Sequence, residues 1–128
     1  MNIMAHQVSW YMGRRIVYAL IQSKYLSLAD IKALNDQLLP FIHHSDAPYA
    51  HVILDASFVT KFQSHLPNQA LTYSREPDLG WNIIIAPDAV AKQFQPLFAQ
   101  TARFDHFTSL EEGMFFLEDV DASLLASV

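Results

Sequence analysis

The chain has no cysteine and only three glycines, Gly13, Gly80 and Gly113. Without cysteine there is no disulfide framework and no thiolate nucleophile or ligand, which fits a reducing compartment and makes a cytoplasmic location the expectation. Three scattered glycines form neither a glycine-rich phosphate loop nor a nucleophile elbow. Positive charge is scarce as well: eight Lys and Arg, spread from Arg14 to Arg103, face thirteen acidic residues, for a net charge of -5. A nucleic-acid-binding face gathers its positive charge, so nucleic acid is not an expected partner. No apolar run approaches the roughly 18 residues needed to span a bilayer, and Met1 to Ala5 lacks the pattern of a secretion signal.

What is present is apolar: 52% of 128 residues, enough for one domain, 1–128, with its own core. The chain is organised around Tyr49 to Ser57, where Val52, Ile53 and Leu54 are consecutive and apolar. A strand that is apolar on both sides is covered on both sides, which places it inside a sheet between helices. Before it, His6 to Met12 and Arg15 to Gln22 predict a hairpin turning at Gly13, its first strand at an edge. Ser27, with Asp30 three residues on, caps a helix carrying Leu28, Ile31, Leu34, Leu38, Phe41 and Ile42 on one stripe, with Pro40 loosening its last turn. Ser45 to Pro48 is a loop.

Beyond Asp55 the pattern predicts a helix from Ser64 or His65 to about Ser74, with Pro67 in its first turn. A buried strand follows from Trp81 to Ala86. Asp88 is expected to cap a helix that buries Val90, Phe94, Leu97 and Phe98 and kinks at Pro96. Arg103 to Phe107 forms a short edge strand. Thr108-Ser109-Leu110-Glu111 is the expected capping box of a last helix, with Leu110, Met114 and Leu117 inward. The expected class is α/β: a mixed, mostly parallel five-stranded sheet in the order β-β-α-β-α-β-α-β-α, with helices packed on it.

Several segments resemble the SpoIIAA-like fold shared by sulfate-transporter and anti-sigma-factor antagonist (STAS) domains. They are Ile53-Leu54-Asp55-Ala56-Ser57 with Val59 to Ser64, the Gly80 to Ile85 strand, and Phe107 to Glu112, and the last two resemble an uncharacterised, stand-alone bacterial branch of this fold. The resemblance implies a non-catalytic regulatory domain that binds a protein partner. In the antagonists a phosphorylatable serine starts the helix after the central strand. By spacing from Asp55 the matching positions are Gln63, Ser64, His65 and Leu66. Ser64 is then the possible phosphorylation site, although the antagonists' preceding aspartate is Gln63 here and their glycine is absent.

Ligands of open α/β sheets gather outside the carboxyl ends of the strands. The expected partner-binding residues there are Asp55, Ser57, Lys61, Ser64 and His65, with Ser23, Lys24, Pro87 and Asp88 nearby. The plainer account of Asp55 and Asp88 is that they satisfy loop and helix-end amides. His43 and His44 are adjacent on a helix and diverge, and no His-Glu-x-x-His pattern exists, so neither a metal nor a cofactor is expected. Nothing sets a base against a nucleophile, so no enzyme activity is expected. An alternative function is binding of a small apolar ligand or lipid within Phe58, Phe62, Tyr73, Trp81, Phe94 and Phe98, against the plainer reading of core packing. One of Phe115 and Phe116 is expected to face outward and, with Leu124, Leu125 and Val128, to form a patch for a homodimer.

Overall fold

Strand β2 (Ile16–Ile21) and strand β4 (Ala50–Asp55) are nearly or fully buried along their length because both of their faces are covered. They sit in a computed structural model that describes residues 6–12, 15–45, 49–100 and 103–126. The turn at Gly13, the loop through Pro48, the first five residues, and the side chains of Leu124, Leu125 and Val128 lie outside the described residues.

With β1 (His6–Met12), β6 (Leu79–Ile85) and β7 (Arg103–Phe107), these strands form one five-stranded sheet ordered β1-β2-β4-β6-β7. The β1–β2 pair is antiparallel and the other three are parallel. Alternation divides the core. Val17, Ala19, Val52, Leu54 and Ile84 face helices α1 (Leu28–His43) and α2 (Asp88–Phe94). Ile16, Ile53, Ile83 and Ile85 face α3 (Leu110–Ala126) alone.

Helix α1 starts where expected. Ser27 Oγ accepts the Asp30 amide at 3.1 Å, and the Asp30 carboxylate accepts the Ser27 amide at 3.0 Å. It buries Ile31, Leu34, Leu38 and Ile42 and continues through Pro40 to His43. The expected break at Pro96 is present: α2 ends at Phe94 and a 3-10 turn spans Gln95–Leu97. Two caps differ from expectation. Pro87 occupies the N-cap of α2, so Asp88 lies inside the helix and its carboxylate turns to His106. At α3 the Ser109 hydroxyl accepts the amide of Glu112, not Glu111, one residue along from the expected box. Met114 and Leu117 are buried against the sheet, Phe116 packs on Trp81 and Phe107, and Phe115 faces outward.

The helix expected from Ser64 to Ser74 does not form. A two-residue strand β5 (Lys61–Phe62) instead pairs in parallel with an unexpected β3 (Tyr25–Leu26), and only Thr72–Arg75 winds as a 3-10 turn. Between them His65 and Gln69 hold positive φ of 59° and 58°, which interrupts any helix. The segment spends its amides on its neighbours: Gln69 and Leu71 donate to Pro96 and Leu97 carbonyls at 2.8 and 2.9 Å. The chain order is therefore β-β-β-α-β-β-β-α-β-α, with the expected five-stranded sheet intact.

Candidate partner-binding site

Asp55 ends β4 on the α3 face, 8% exposed. Its carboxylate accepts the Tyr18 hydroxyl from β2 at 2.5 Å, the Ser57 amide at 3.1 Å and the Ser57 hydroxyl. Burial raises the Tyr18 pKa above its ordinary value, and the bond to Asp55 and that residue's negative charge raise it further, so Tyr18 stays the donor. Asp55 is thus an anchor for the turn after β4. Ser57 is exposed, but its hydroxyl is engaged by that anchor.

The turn carries Phe58 outward, 52% exposed. The Thr60 and Lys61 amides donate to the Lys24 carbonyl at 2.8 and 3.0 Å, and the Gln63 amide donates to Leu26 at 2.8 Å. The Gln63 side chain accepts the Leu28 amide at 2.9 Å, meeting one of the unpaired donors of α1's first turn. These bonds join the chain after β2 to the chain after β4. The joined rim presents Lys24, Tyr25 (50% exposed), Phe58 and Lys61. Ser64 and His65 follow in an exposed turn. Ser64 therefore does not begin a helix, and the position that the antagonist resemblance assigns to it is not reproduced. Asp88, 2.8 Å from His106 Nε2, is taken up by β7.

Tyr25 was not legible as part of this rim, since it lies in a strand of only two residues with no periodicity to reveal it. Nor do the six rings proposed for an apolar chamber share one. Phe62, Phe94, Phe98 and Tyr73 pack edge-on or stacked on the α1/α2 side, Trp81 lies on the α3 face against Phe116, and Phe58 is exposed. A groove of about 570 Å³ opens beside Phe104 near the start of β7, lined by amide side chains such as Gln95 and Gln100. His43 pairs with Glu76 while His44 turns to the Pro40 carbonyl, and among the described residues no three His, Asp or Glu side chains are grouped to hold a metal ion.

A second polar cluster joins α3 to the opposite end of the sheet. His51 Nδ1 accepts the Trp81 amide at 2.9 Å, so its proton sits on Nε2, 2.9 Å from Asp121, which also receives Arg15. Partial burial works against ionisation of Asp121, but the hydrogen bonds from His51 and Arg15 outweigh it and hold its pKa below the usual carboxylate value. A lowered folded pKa contributes stability above the unfolded value of about 3.9 that is lost as pH falls through the folded one. Asp121→Asn is therefore expected to shrink the gap to wild type as pH drops below about 4, seen as converging urea midpoints. A gap that stays constant with pH refutes this role.

A five-stranded sheet with one antiparallel edge strand, two helices on one face and a third on the other is a SpoIIAA-like fold. The chain is similar to the crystal structure of an uncharacterised DUF3478-family protein with a SpoIIAA-like fold from Shewanella loihica PV-4. The TM-score is 0.58 and the identity 14%, covering 91% of this chain and 97% of that one. No protein-family model matches the chain, and no curated protein matches it. Among the described residues no helix is long and apolar enough to cross a membrane.

Proposed function

We propose that this domain is a non-catalytic regulatory module that binds a protein partner through the rim at the carboxyl ends of β2 and β4. The observation that supports it is the pairing of two half-exposed rings, Tyr25 and Phe58, with Lys24 and Lys61 on segments locked to each other. Exposed aromatics on a rigid support are the usual anchors of protein interfaces, and the lysines favour a partner with an acidic, apolar segment. Asp55 is committed to Tyr18 and Ser57, which supports binding over acid–base chemistry.

The test is in-cell cross-linking with mass spectrometry on the wild type, Phe58→Ser, Lys61→Glu and Ser64→Glu. Each exposed substitution is expected to leave the melting curve unchanged, and Phe58→Ser to reduce partner recovery about tenfold or more. Ser64→Glu, which imitates phosphorylation, is expected to weaken capture by adding negative charge near Lys61, and a mass shift at Ser64 in host lysate would mark the natural modification. A second copy of the chain as the captured species would make the partner a homodimer. Identical recoveries for all four proteins refute the rim.

A further inference from the structure

A groove of about 360 Å³ opens at the amino ends of β6 and β7, away from the rim, lined by Ser74, Arg75, Glu76, Leu79, Gly80 and Arg103. Two arginines border it in a chain where acidic residues outnumber basic ones thirteen to eight. Among the described residues neither guanidinium meets a carboxylate. Arg103 lies 5.2 Å over the Tyr49 ring and makes one long bond, 3.4 Å, to the Leu79 carbonyl. Arg75 reaches the Gln69 carbonyl at 3.5 Å, the outer limit of a hydrogen bond. Arg15, by contrast, is paired with Asp121.

The other polar side chains of the groove are engaged. Glu76 is 2.6 Å from His43 Nε2 on the last turn of α1, and the Ser74 hydroxyl donates to Leu71 and accepts from Ala99. Forked donors therefore border a concavity at the small end of ligand-site volumes, with their bonding capacity almost unused. Guanidinium forks match the two oxygens of a carboxylate or phosphate, and the cation–π contact with Tyr49 helps to hold one of them in place.

We propose that this groove binds a small anion bearing a carboxylate or phosphate group, held between Arg75 and Arg103. The test is calorimetric titration of the full chain with inorganic phosphate and, separately, with succinate, at constant ionic strength in chloride. Saturable binding of phosphate alone assigns a phosphate-bearing ligand, and of succinate alone a carboxylate. Arg75→Gln and Arg103→Gln are each expected to weaken that binding at least tenfold, Arg75→Lys to weaken it by keeping charge without the fork, and Lys61→Gln to leave it unchanged. Arg103→Gln also uncovers Tyr49, so melting curves accompany it, and the exposed Arg75 carries the test if that variant folds poorly. Absence of saturable binding by both probes overturns the proposal, as does wild-type affinity in Arg75→Gln.

Discussion

Gly80→Ala is expected to destabilise the protein by about 2–5 kcal/mol, the sum of a forced overpacking and the loss of a buried hydrogen bond. For a chain of this size that corresponds to a fall in Tm of roughly 10–20 °C. The cause is local. Between Ala50 and Val52 the pairing of β4 with β6 slips: Ala50 faces Leu79, but Val52 faces Asn82, so β6 carries an extra residue. At such a bulge an amide is left out of the ladder. Here the Trp81 amide finds His51 Nδ1 instead, and the imidazole lies against Gly80. A Cβ at position 80 would stand 2.4 Å from Nδ1 and 2.8 Å from Cε1 of that ring.

The ring has no cheap escape, because its other nitrogen is fixed on Asp121 of α3. Moving it frees the Trp81 amide and loosens α3 together. A double-mutant cycle separates this account from a general intolerance of side chains in β6. With His51→Ala as background the space is open, and Gly80→Ala is expected to cost at least about 1 kcal/mol less than in the wild type. A Gly80→Ala protein within about 0.5 kcal/mol of wild type in urea would show that the ring is not held as described.

How much of this was legible follows the range of the interactions. Val52-Ile53-Leu54 and Ile83-Ile84-Ile85 announce the central strands because burial on both faces leaves no polar residue in the run. Ser27 with Asp30 announces α1 because the cap is made within three residues. The clasp of His51 carries no local signal: its partners are Trp81, thirty positions away, and Asp121, seventy away. The rim was half legible. Lys61 and the exposed Ser64 and His65 follow from placing the end of β4. Tyr25 joins them only through β3 pairing with β5, and Asp55, expected to serve a partner, is withdrawn by Tyr18 from a neighbouring strand. The helix expected over 64–74 failed for the same reason: its structure is imposed from outside the segment.

That imposition is the basis of the second large effect, expected for Asn35→Ala. Asn35 lies on the buried side of α1, 8% exposed, and takes the place of the missing helix's own hydrogen bonds. Its Nδ2 donates to the Ala70 carbonyl at 3.0 Å and its Oδ1 accepts the Tyr73 amide at 3.1 Å. Alanine would leave the Tyr73 amide without its partner and the Ala70 carbonyl with only the Thr72 amide, 3.0 Å away, for an expected loss of about 1–3 kcal/mol. The consequence extends inward. Tyr73 is fully buried, which raises its pKa well above the ordinary value although the bond to Asn82 works the other way; its hydroxyl donates to Asn82 Oδ1 at 2.7 Å. Asn82 Nδ2, in the middle of β6, has no partner among the described residues, so this polar core is already incompletely satisfied and tolerates little displacement of Tyr73. Hydrogen exchange is the decisive measurement. In Asn35→Ala the Leu71 and Tyr73 amides are expected to lose protection beyond that lost by Ile53 and Leu54 of β4, because the 63–75 segment opens before the sheet does. Uniform loss of protection, or none, would show instead that this segment draws its order from its buried side chains and not from the asparagine.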